Sequence, residues 1–486
     1  MLKPLDPENA SRLRTFFHDA GYTHDQFRLN PLLRDLPSRR AGNLPFLLEG
    51  TREVTLLNLL VRCFFLGVPC ESLALSKFVP GRILESMIES GVLLPDGASL
   101  QPSVMVTPCD EYIFAADMAA RLESPDSSDI ILWPNPSTRL LQLFTMRQWS
   151  ANTLDLGSGC GILAVLAAPH SGHVVATDLN PRAAEFTAFN AALNGVDNIE
   201  CLTGDTFAPV EGRRFDLILA NPPFFVTPSQ GQMYCENSME LDGYCRRVVR
   251  EAAALLNDGG YLQMLCESVE VKGQPWRNRV AGWFDGLGCD AWVMRSYIRD
   301  AAGYASDRIK EEDAAKAKRK FDEWMEYYQA LGVESIQGGL IAMRKRPGAN
   351  WLRIEEDGPQ SLQAPVGDSV LETFACQDAL EISREDRDLM RLKPRLAPDA
   401  ELSQQSRVSE GKWTPLTMKL SRTIGLPSSL GVEPAVAGFL AGCDGSRSLE
   451  QLSHELASKV KVPVEQVAPQ CCAVVRKLLE RRLILI

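Results

Sequence analysis

The sequence predicts an α/β fold, in which a mainly parallel sheet lies between helices, with a small helical module at each end of the chain. Two observations lead to this fold class. Strand-like apolar runs alternate with helical patterns between about residues 128 and 346, and the flanking segments show helical spacing without that alternation. In addition, several of the strand-like runs end in Gly, Asp or Asn, at the strand end where open α/β sheets bind their ligands.

The N-terminal module, residues 1–125, is predicted to be helical and winged-helix-like. After an initial helical pattern near residues 10–20, three more follow at residues 55–67, 70–74 and 80–90. Two β-like runs broken by Asp96-Gly97 come next. Three helices and a turn-linked strand pair resemble the winged-helix modules that contact DNA, RNA or protein. A cap that only packs on the next domain explains the pattern equally well.

The middle region, residues 126–348, contains seven strand candidates. They are residues 152–156, 173–177, 199–203, 215–220, 260–266, 291–298 and 340–344. A charged helical pattern at about residues 307–330 separates the last two, and its composition is typical of a solvated helix face. The polar, Pro- and Gly-containing stretch 349–365 is predicted to be a linker.

The C-terminal module, residues 366–486, is predicted to be a small α+β unit that is also winged-helix-like. Its helical patterns are residues 433–441, 448–458 and 464–481, followed by a short apolar run. Ser448 with Gln451 three residues later is a capping-box pattern, which predicts that a helix begins there.

Composition limits the classes of protein that this chain can be. With 486 residues, 45% of them hydrophobic and 23% charged, it is typical of globular proteins and unlike disordered or collagen-like chains. The longest apolar stretch, residues 56–68, is interrupted by Asn58 and Arg62 and is shorter than the ~20 residues that a membrane-spanning helix needs. The N-terminus has no apolar signal segment, so we expect a cytoplasmic protein without a membrane partner.

The net charge and the distribution of cysteines limit which ligands the chain is expected to bind. The net charge of -11 argues against nucleic-acid binding by a general basic field, although it says little about a local patch. Arg34, Arg39 and Arg40 can contact phosphate, but ordinary surface charge explains them as well. The 13 cysteines are scattered without a C-x-x-C pair and only five histidines are present, so we expect no metal site and reduced, buried thiols.

A glycine-rich turn follows the first strand candidate. Asp155 ends that strand, and Gly157, Ser158, Gly159 and Gly161 precede an apolar helical pattern. Because glycine has no Cβ, a ligand can lie against the backbone there, and the N-terminus of the helix offers free N–H groups. The sequence therefore predicts a ligand site at this turn, although many nucleotide-binding folds share a G-x-G-x-G pattern.

Two polar segments follow the next two strand candidates. Asp178 lies about 20 residues beyond the glycine turn, where a carboxylate can accept both hydroxyls of a ribose. Asp205 is placed to bond an adenine amino group. The residues predicted to bind the cofactor in these two segments are Asp178, Leu179, Asn180, Gly204, Asp205 and Thr206.

The fourth strand candidate runs into an NPPF segment, Asn221, Pro222, Pro223 and Phe224. An amine or amide nitrogen attached to a π system is a poor nucleophile because its lone pair is delocalised. The Asn221 side-chain oxygen and the Pro222 carbonyl can each accept one N–H of such a group and so direct its lone pair. The prolines fix the backbone and Phe224 offers a ring for stacking, so we predict that these four residues are catalytic. The alternative is a strand-ending loop with a buried Phe.

In this order, the glycine turn, Asp178, Asp205 and NPPF resemble class I S-adenosylmethionine-dependent methyltransferases that act on planar nitrogen. The resemblance implies a Rossmann-like sheet of seven strands whose last strand is antiparallel, and S-adenosylmethionine as the cofactor. It also implies that Asp155 and the glycine turn hold the methionine end, Asp178 the ribose, and Asp205 with Thr206 the adenine, while Asn221 borders both sites. A dinucleotide-binding dehydrogenase shares the glycines and the acid, but neither NPPF nor this glycine spacing.

The acceptor nitrogen remains open between substrate classes. The enzymes that the sequence resembles methylate an exocyclic amine of a purine in RNA or DNA, or a glutamine amide of release factors. Phe224 resembles the rRNA-directed members, whereas release-factor enzymes usually carry Tyr there; guanine-N2 enzymes usually carry His where Phe225 stands. The flanking modules favour a macromolecular substrate, RNA first and protein second. A non-catalytic scaffold that binds the cofactor is a third hypothesis.

Two further segments lie where the resembled families place a lead-in segment, which closes over the cofactor, and a segment that contacts the substrate. They supply Asp117, Trp133, Pro136, Ser137 and Thr138 before the glycine turn and Tyr234, Glu236 and Tyr244 after NPPF. Ordinary packing, or an amphipathic helix from about residue 241, explains them as well.

Overall fold

The computed structural model describes residues 2–30, 33, 44–123, 127–228, 233–311 and 313–486. Arg34, Arg39 and Arg40 lie outside the described residues. The chain divides into an N-terminal unit, Met1–Gln142 with Gln148–Ser361, and a C-terminal unit, Leu143–Arg147 with Leu362–Ile486. The N-terminal unit therefore contains both the predicted N-terminal module and the α/β region.

The first part of the N-terminal unit consists of short helices and small antiparallel sheets. The helices are α1 (Pro7–Asp19), α2 (His24–Leu29), α3 (Leu44–Gly50), α4 (Leu56–Leu60), α5 (Ser72–Leu75) and α6 (Gly81–Glu89), and a π-helical turn, Val61–Phe65, continues α4. The strands are β1 (Cys70–Glu71), β2 (Leu93–Asp96), β3 (Ser99–Pro102), β4 (Val104–Cys109) and β5 (Tyr112–Asp117). β1, β3 and β2 form one sheet in that order, and β4 pairs with β5. The predicted strand pair at Asp96-Gly97 is confirmed.

An eight-stranded sheet forms the centre of the N-terminal unit. Its strands are β6 (Ser150–Leu156), β7 (Ser171–Asp178), β8 (Ile199–Thr203), β9 (Phe215–Ala220), β10 (Leu256–Val271), β11 (Cys289–Asp300), β12 (Val333–Lys345) and β13 (Leu352–Glu355). Their order is β13-β11-β12-β10-β9-β6-β7-β8, and β12 runs antiparallel to both of its neighbours. All seven predicted strands are present, and the predicted antiparallel last strand corresponds to β12.

The prediction of seven strands is wrong by one, because β13 lies inside the stretch that we predicted to be a linker. β13 pairs in parallel with β11, with Leu352 opposite Ala291 and Ile354 opposite Val293. Trp351 is buried just before it, and its N–H donates to Asp290 at 3.2 Å. The polar composition of residues 349–365 concealed an edge strand of four residues whose partner, β11, is distant in sequence.

Helices cover both faces of the central sheet, as expected for strands that are buried on both sides. They are α7 (Pro136–Phe144), α8 (Ile162–Ala167), α9 (Pro181–Leu193), α10 (Gly243–Leu255), α11 (Trp276–Ala281), α12 (Ala301–Arg308) and α13 (Ala314–Ala330), with 3₁₀ turns at Ala119–Glu123, Ser127–Asp129, Ala168–His170 and Ala208–Val210. The charged pattern at residues 307–330 is not one solvated helix. α12 ends at Arg308, and α13 buries Trp324 and Tyr328 against the unit.

Buried amides join the β4–β5 hairpin to the central α/β region. Asn194 accepts the N–H of Ile113 at 2.9 Å, and Asn190 accepts that of Ala115 at 2.8 Å. Both amides also donate to carbonyl groups of the same hairpin. The hairpin is therefore fixed to α9, which contains Asn190 and ends at the C-cap residue Asn194.

The C-terminal unit contains the three predicted helices and additional strands. Its helices are α14 (Gly367–Ile382), α15 (Asp386–Leu389), α16 (Pro434–Leu440), α17 (Leu449–Val460) and α18 (Val464–Glu480). Its strands are β14 (Arg395–Leu396), β15 (Ala400–Ser409), β16 (Lys412–Arg422), β17 (Ser428–Gly431) and β18 (Ile484–Leu485). The capping box is confirmed: the Ser448 hydroxyl accepts from the Gln451 N–H at 3.2 Å, and the Gln451 side chain accepts from the Ser448 N–H at 2.9 Å. The sequence patterns missed α14 and the β15–β16 hairpin.

The described residues contain neither a candidate membrane-spanning helix nor a candidate metal-binding group. In the part of the chain that the structure covers, no helix combines the length and apolar character needed to cross a membrane. Across the same residues, no three His, Cys, Asp or Glu side chains are grouped so that they could hold a metal ion.

Candidate active site

A cavity of about 500 Å³ lies at the carboxyl ends of β6, β7, β8 and β9. This is the edge at which open parallel sheets bind ligands. Most of the residues that the sequence analysis selected meet here. The predicted residues that line it are Gly157, Ser158, Gly159, Asp178, Leu179, Asn180, Gly204, Asp205, Thr206, Asn221, Pro222 and Pro223.

The glycine turn presents bare backbone to this cavity. Gly157 and Gly159 have positive φ angles of 77° and 54°, which favour glycine. A Cβ at Gly159 would meet no atom within 4 Å, and one at Gly157 would meet only the Asn221 carbonyl at 3.8 Å, so both residues face open space. A ligand can therefore approach this backbone closely.

Gly161 has a packing role and does not line the cavity, and its place among the binding residues stays a prediction. Its φ is 80°, and a Cβ there would lie 2.9 Å from the Cα of Thr187 on α9. Only glycine allows the start of α8 to pack this closely against α9.

Asp155 is fully buried and does not line the cavity, and its role in holding the methionine end of the cofactor stays a prediction. Its Oδ2 accepts the N–H of Ala164 at 2.9 Å and so joins the end of β6 to the first turn of α8. Its Oδ1 has no hydrogen-bond partner among the described residues. Direct contact with a ligand's amino group, which the resemblance implied, is therefore not supported by the lining of this cavity.

Burial of Asp155 has a measurable consequence for stability. Loss of hydration raises the pKa of Asp155 to about 7, and the negative charge of Asp178 adds to the rise. The folded chain then binds more protons than the unfolded chain between about pH 4 and pH 7, so the free energy of unfolding falls as pH rises through that window. The fall is at most about 1.4 kcal/mol per pH unit.

We expect Asp155→Asn to remove this part of the pH dependence, because the amide has the shape of the protonated acid and cannot ionise. The wild type should lose stability relative to the variant as the pH rises from 4 to 7, measured by urea unfolding at intervals of one pH unit. Asp197→Asn, at an exposed position, is the matched control and should follow the wild type. Equal pH slopes for the Asp155 variant and the wild type would contradict the assignment.

Asp178 fixes the glycine turn to the end of β7. Its Oδ2 accepts the N–H of Gly159 at 2.9 Å and its Oδ1 accepts that of Asn180 at 2.8 Å. Burial raises the pKa of this carboxyl, and the two backbone N–H groups oppose the rise. Each carboxylate oxygen retains a second lone pair, so the group can still accept ligand hydroxyls. Leu179 beside it is 57% exposed and offers an apolar surface to the cavity.

The third polar segment is held in a specific conformation. Thr206 has a φ of 48°, which is uncommon for a non-glycine residue. Its hydroxyl donates to Asp205 at 2.8 Å, and Arg247 on α10 donates to the other oxygen of Asp205 at 3.1 Å. These two donors hold the pKa of Asp205 below its usual range. Asp205 is therefore an ionised acceptor at the cavity wall.

The amide of Asn221 is oriented by its neighbours. Its Nδ2 donates to the Thr138 hydroxyl at 3.1 Å, and Thr138 is itself placed by Asn135, which accepts the Thr138 N–H at 3.0 Å. With the amide nitrogen engaged, the Asn221 oxygen is the group available to accept an N–H from a ligand. Asn237 donates to the Pro223 carbonyl at 2.7 Å, which fixes the loop and leaves Pro222 beside Asn221 in the cavity.

Phe224 does not line the same cavity as the other three residues of the NPPF segment. It lines a neighbouring cavity together with Phe225, Pro136 and Ser137. The catalytic role of all four residues stays a prediction, with Asn221, Pro222 and Pro223 at the first cavity and Phe224 at the second.

A buried ion-pair network fixes the lead-in segment. Asp117 receives two hydrogen bonds from Arg182, at 2.6 and 2.8 Å, one from Arg121 at 2.7 Å, and the N–H of Ile131 at 2.7 Å. Asn180 in turn donates to the Asp129 carbonyl at 2.8 Å. Asp117 is therefore a positioning residue that does not line the cavity.

The remaining sequence candidates are distributed between the two cavities. Trp133, Thr138, Tyr234, Glu236 and Tyr244 line the first cavity, whereas Pro136 and Ser137 line the second. Sequence reasoning missed several lining residues, which are Ile130, Ile131, Leu132, Asn135, Cys160, Met233, Asn237, Ser238, Met239 and Arg247. Most come from segments without regular structure, which leave no periodic signal. Asn135 was detectable, because Asn before Pro is a helix-start pattern.

The comparisons with known proteins concern this region of the chain. The family model of the methyltransferase small domain matches residues 135–274. The chain is 37% identical over 170 residues to a release factor glutamine methyltransferase of Cereibacter sphaeroides, covering 32% of this chain and 58% of that protein. It is 36% identical over 146 residues to a ribosomal protein uL3 glutamine methyltransferase of Bradyrhizobium diazoefficiens, covering 27% and 46%.

A further relative acts on RNA. Over 112 residues the chain is 29% identical to the ribosomal RNA small subunit methyltransferase C of Alcanivorax borkumensis, covering 23% of this chain and 31% of that protein. The chain spans between 46% and 60% of the length of the first curated relatives that it matches. Residues 135–274, which contain the glycine turn, Asp178, Asp205 and the NPPF segment, therefore match the methyltransferase small domain and are similar to methyltransferases that act on protein or RNA.

Proposed function

We propose that this chain transfers a methyl group from S-adenosylmethionine to a planar nitrogen of a macromolecule. The first candidate acceptor is the exocyclic amine of a purine in RNA, and the second is the side-chain amide of a glutamine in a protein. The observation that carries the proposal is the oriented Asn221. Its amide nitrogen is held by Thr138, and its oxygen and Pro222 lie in the same cavity as the open glycine turn.

The cavity residues fit S-adenosylmethionine as the cofactor. The open space in front of Gly157 and Gly159 is a cradle that Cβ atoms would fill. Asp178 would accept the ribose hydroxyls, Asp205 with Thr206 would bind the adenine, and Leu179 would pack on its ring. Ser158, Asn180 and Gly204 complete this proposed binding surface.

The acceptor nitrogen is a poor nucleophile because its lone pair is delocalised, so the protein has to activate it. S-adenosylmethionine supplies a methyl group on a sulfonium sulfur, and its transfer breaks the C–S bond, forms a C–N bond and releases one proton to solvent. Asn221 and the Pro222 carbonyl would each accept an N–H of the acceptor, which directs the nitrogen lone pair and stabilises the charge that develops on nitrogen. The flanking prolines fix that carbonyl.

Two kinds of observation support a macromolecular acceptor. The relatives include enzymes named for glutamine in release factors and uL3, and one named for ribosomal RNA. Residues 56–102 also contain three helical segments and a three-stranded antiparallel sheet, an element order that supports a winged-helix-like module beside the methyltransferase domain. The C-terminal unit, with helices α16 to α18, is proposed as a second module of this kind.

The test is transfer of labelled methyl from S-adenosylmethionine into an extract of a strain that lacks this protein, followed by RNase or protease treatment of separate halves. Label that only RNase removes would support the purine acceptor, and label that only protease removes would support glutamine. If neither RNA nor protein in the extract takes up the label, the proposed function is contradicted and a scaffold without catalysis is favoured. Phosphate contacts weaken steeply with salt, so salt sensitivity of binding separates the two acceptors independently.

A further inference from the structure

A second cavity of about 330 Å³ adjoins the first within the N-terminal unit. The NPPF segment and α7 each contribute to both cavities: Asn221 and Thr138 line the first, and Phe224 and Ser137 line the second. A group bound in the second cavity would therefore lie beside the proposed transfer site. None of the proposed cofactor contacts lines it.

A β-bulge directs a serine into this cavity. Along β11, Arg295 lies opposite Gly339 and Tyr297 lies opposite Gly338, so Ser296 between them is an extra residue. Bulges of this kind re-aim side chains and are frequent next to active sites. A Cβ at Gly338 would overlap the ring of Tyr297, so the glycine makes room for the ring across the strand.

The Ser296 hydroxyl is an unsatisfied hydrogen-bonding group. The residue is only 8% exposed and lines the second cavity, and its Oγ has no hydrogen-bond partner among the described residues. A buried hydroxyl without a partner has lost its hydration without replacement, so such groups call for an explanation. A ligand in the cavity supplies one.

The charges around the cavity are paired. Glu267 is fully buried and accepts from the hydroxyls of Tyr297 and Tyr304 and from Arg308. The Arg308 guanidinium lies 3.8 Å from the ring centroid of Phe225, which fixes that ring against the cavity. At the rim, Arg299 donates to Asp307 at 2.9 Å. Each positive charge therefore faces a negative one, and the cavity suits a neutral ligand.

The walls and the volume indicate which neutral group fits. Phe224 and Phe225 lie 5.7 Å apart with their rings tilted by 54°, so they offer a face and an edge to a flat ligand. The cavity is large enough to admit a flat ring system of the size of a purine base. A base taken out of its stack is typically held by aromatic rings and by hydrogen bonds to its edge.

We propose that the second cavity is the acceptor subsite of this enzyme and takes an unstacked purine base of an RNA strand, with Ser296 binding the base edge. Phe224 and Phe225 contact the ring, and the Glu267–Tyr297–Tyr304–Arg308 cluster positions Phe225. The proposal rests on the proposed function, and it deepens that function by locating the acceptor base and naming a residue that recognises it. It assigns substrate recognition to a bulge residue of β11 that lies outside the NPPF segment.

The test uses the full chain and its Ser296→Ala variant, with RNA and protein fractions from a strain that lacks the protein as separate acceptors. The change removes a hydroxyl that has no protein partner, so stability should be unchanged or higher. The KM for RNA should rise about fivefold, as expected for one neutral hydrogen bond, while the Kd for S-adenosylmethionine stays constant. Ser458→Ala, on an exposed turn of α17, is the matched control and should match the wild type.

Each other outcome contradicts a specific statement. Methylation of RNA with an unchanged KM in the Ser296 variant would overturn the assignment of the second cavity as the acceptor subsite. Methylation of the protein fraction alone would overturn the purine base as its occupant and leave methyl transfer intact. Absence of methylation in both fractions would overturn the proposed function itself, and the acceptor subsite with it.

Discussion

Asn221→Ala is expected to lower methyl transfer by about 10²–10³-fold while the chain still binds S-adenosylmethionine with nearly unchanged affinity. The side chain contributes the acceptor oxygen that would hold the reacting nitrogen, and groups of this kind contribute factors of that size when they act on developing charge. It contributes little to the cofactor surface, which glycines, Asp178 and Asp205 form around the same cavity. Single-turnover rates and equilibrium binding of S-adenosylmethionine separate the two effects.

The matched control is Asn152→Ala, because Asn152 is exposed near the start of β6, away from the carboxyl ends of the strands. It should leave both quantities at the wild-type level. An Asn221 variant that loses transfer and cofactor binding in equal proportion would show that Asn221 belongs to the cofactor surface, and that the acceptor nitrogen is held elsewhere.

Asp117→Ala should give the largest loss of stability among these substitutions, about 3 kcal/mol or more. The carboxylate is nearly inaccessible and receives hydrogen bonds from Arg182, Arg121 and the Ile131 N–H. Burial alone would raise the pKa of Asp117, but the Arg182 hydrogen bonds and the other donors bring it below its usual range. Removing the acid leaves the partly buried cation of Arg182 with only the longer contact to the Asp129 carboxylate at 3.6 Å, and breaking a buried ion pair in this way is strongly destabilising.

The same substitution should weaken cofactor binding, because Arg182 and Asn180 tether the Asp129 carbonyl and the lead-in segment to the cavity. Urea unfolding and titration with S-adenosylmethionine measure the two effects. Asp197→Ala, at an exposed position on the loop between α9 and β8, should change stability by less than about 0.5 kcal/mol. A similarly small change for Asp117→Ala would show that the network contributes little.

Local sequence patterns were sufficient to predict much of the fold. The alternation of apolar runs and helices located all seven predicted strands of the central sheet, and the predicted bounds of β8 and β9 match those observed. Buried parallel strands are continuous apolar runs that end in Gly, Asp or Asn, so both their position and their ligand-facing ends are visible in one dimension. Ser448 and Gln451 likewise marked the start of α17 correctly, because a capping box is a contact between near neighbours.

The errors arise where the partner of a residue is distant in the chain. β13 pairs with β11, and its own four residues alternate between apolar and polar but are too short a run to stand out within a polar stretch. Asp155 and Gly161 match the motif, which does not reveal the structural contacts of the buried Asp155 carboxylate and of Gly161 with Thr187. Ser296 was not singled out, because a bulge depends on the register with β12 and has no sequence pattern of its own.

The most direct test of the central claim is the chemical identity of the methylated product. Extract from a strain lacking the protein is treated with the pure chain and labelled S-adenosylmethionine, then digested to nucleosides and amino acids and separated. The account predicts label in a purine methylated on its exocyclic nitrogen or, for the second acceptor, in a glutamine methylated on its side-chain nitrogen. Label on a carbon or an oxygen atom would contradict the role proposed for Asn221 and Pro222.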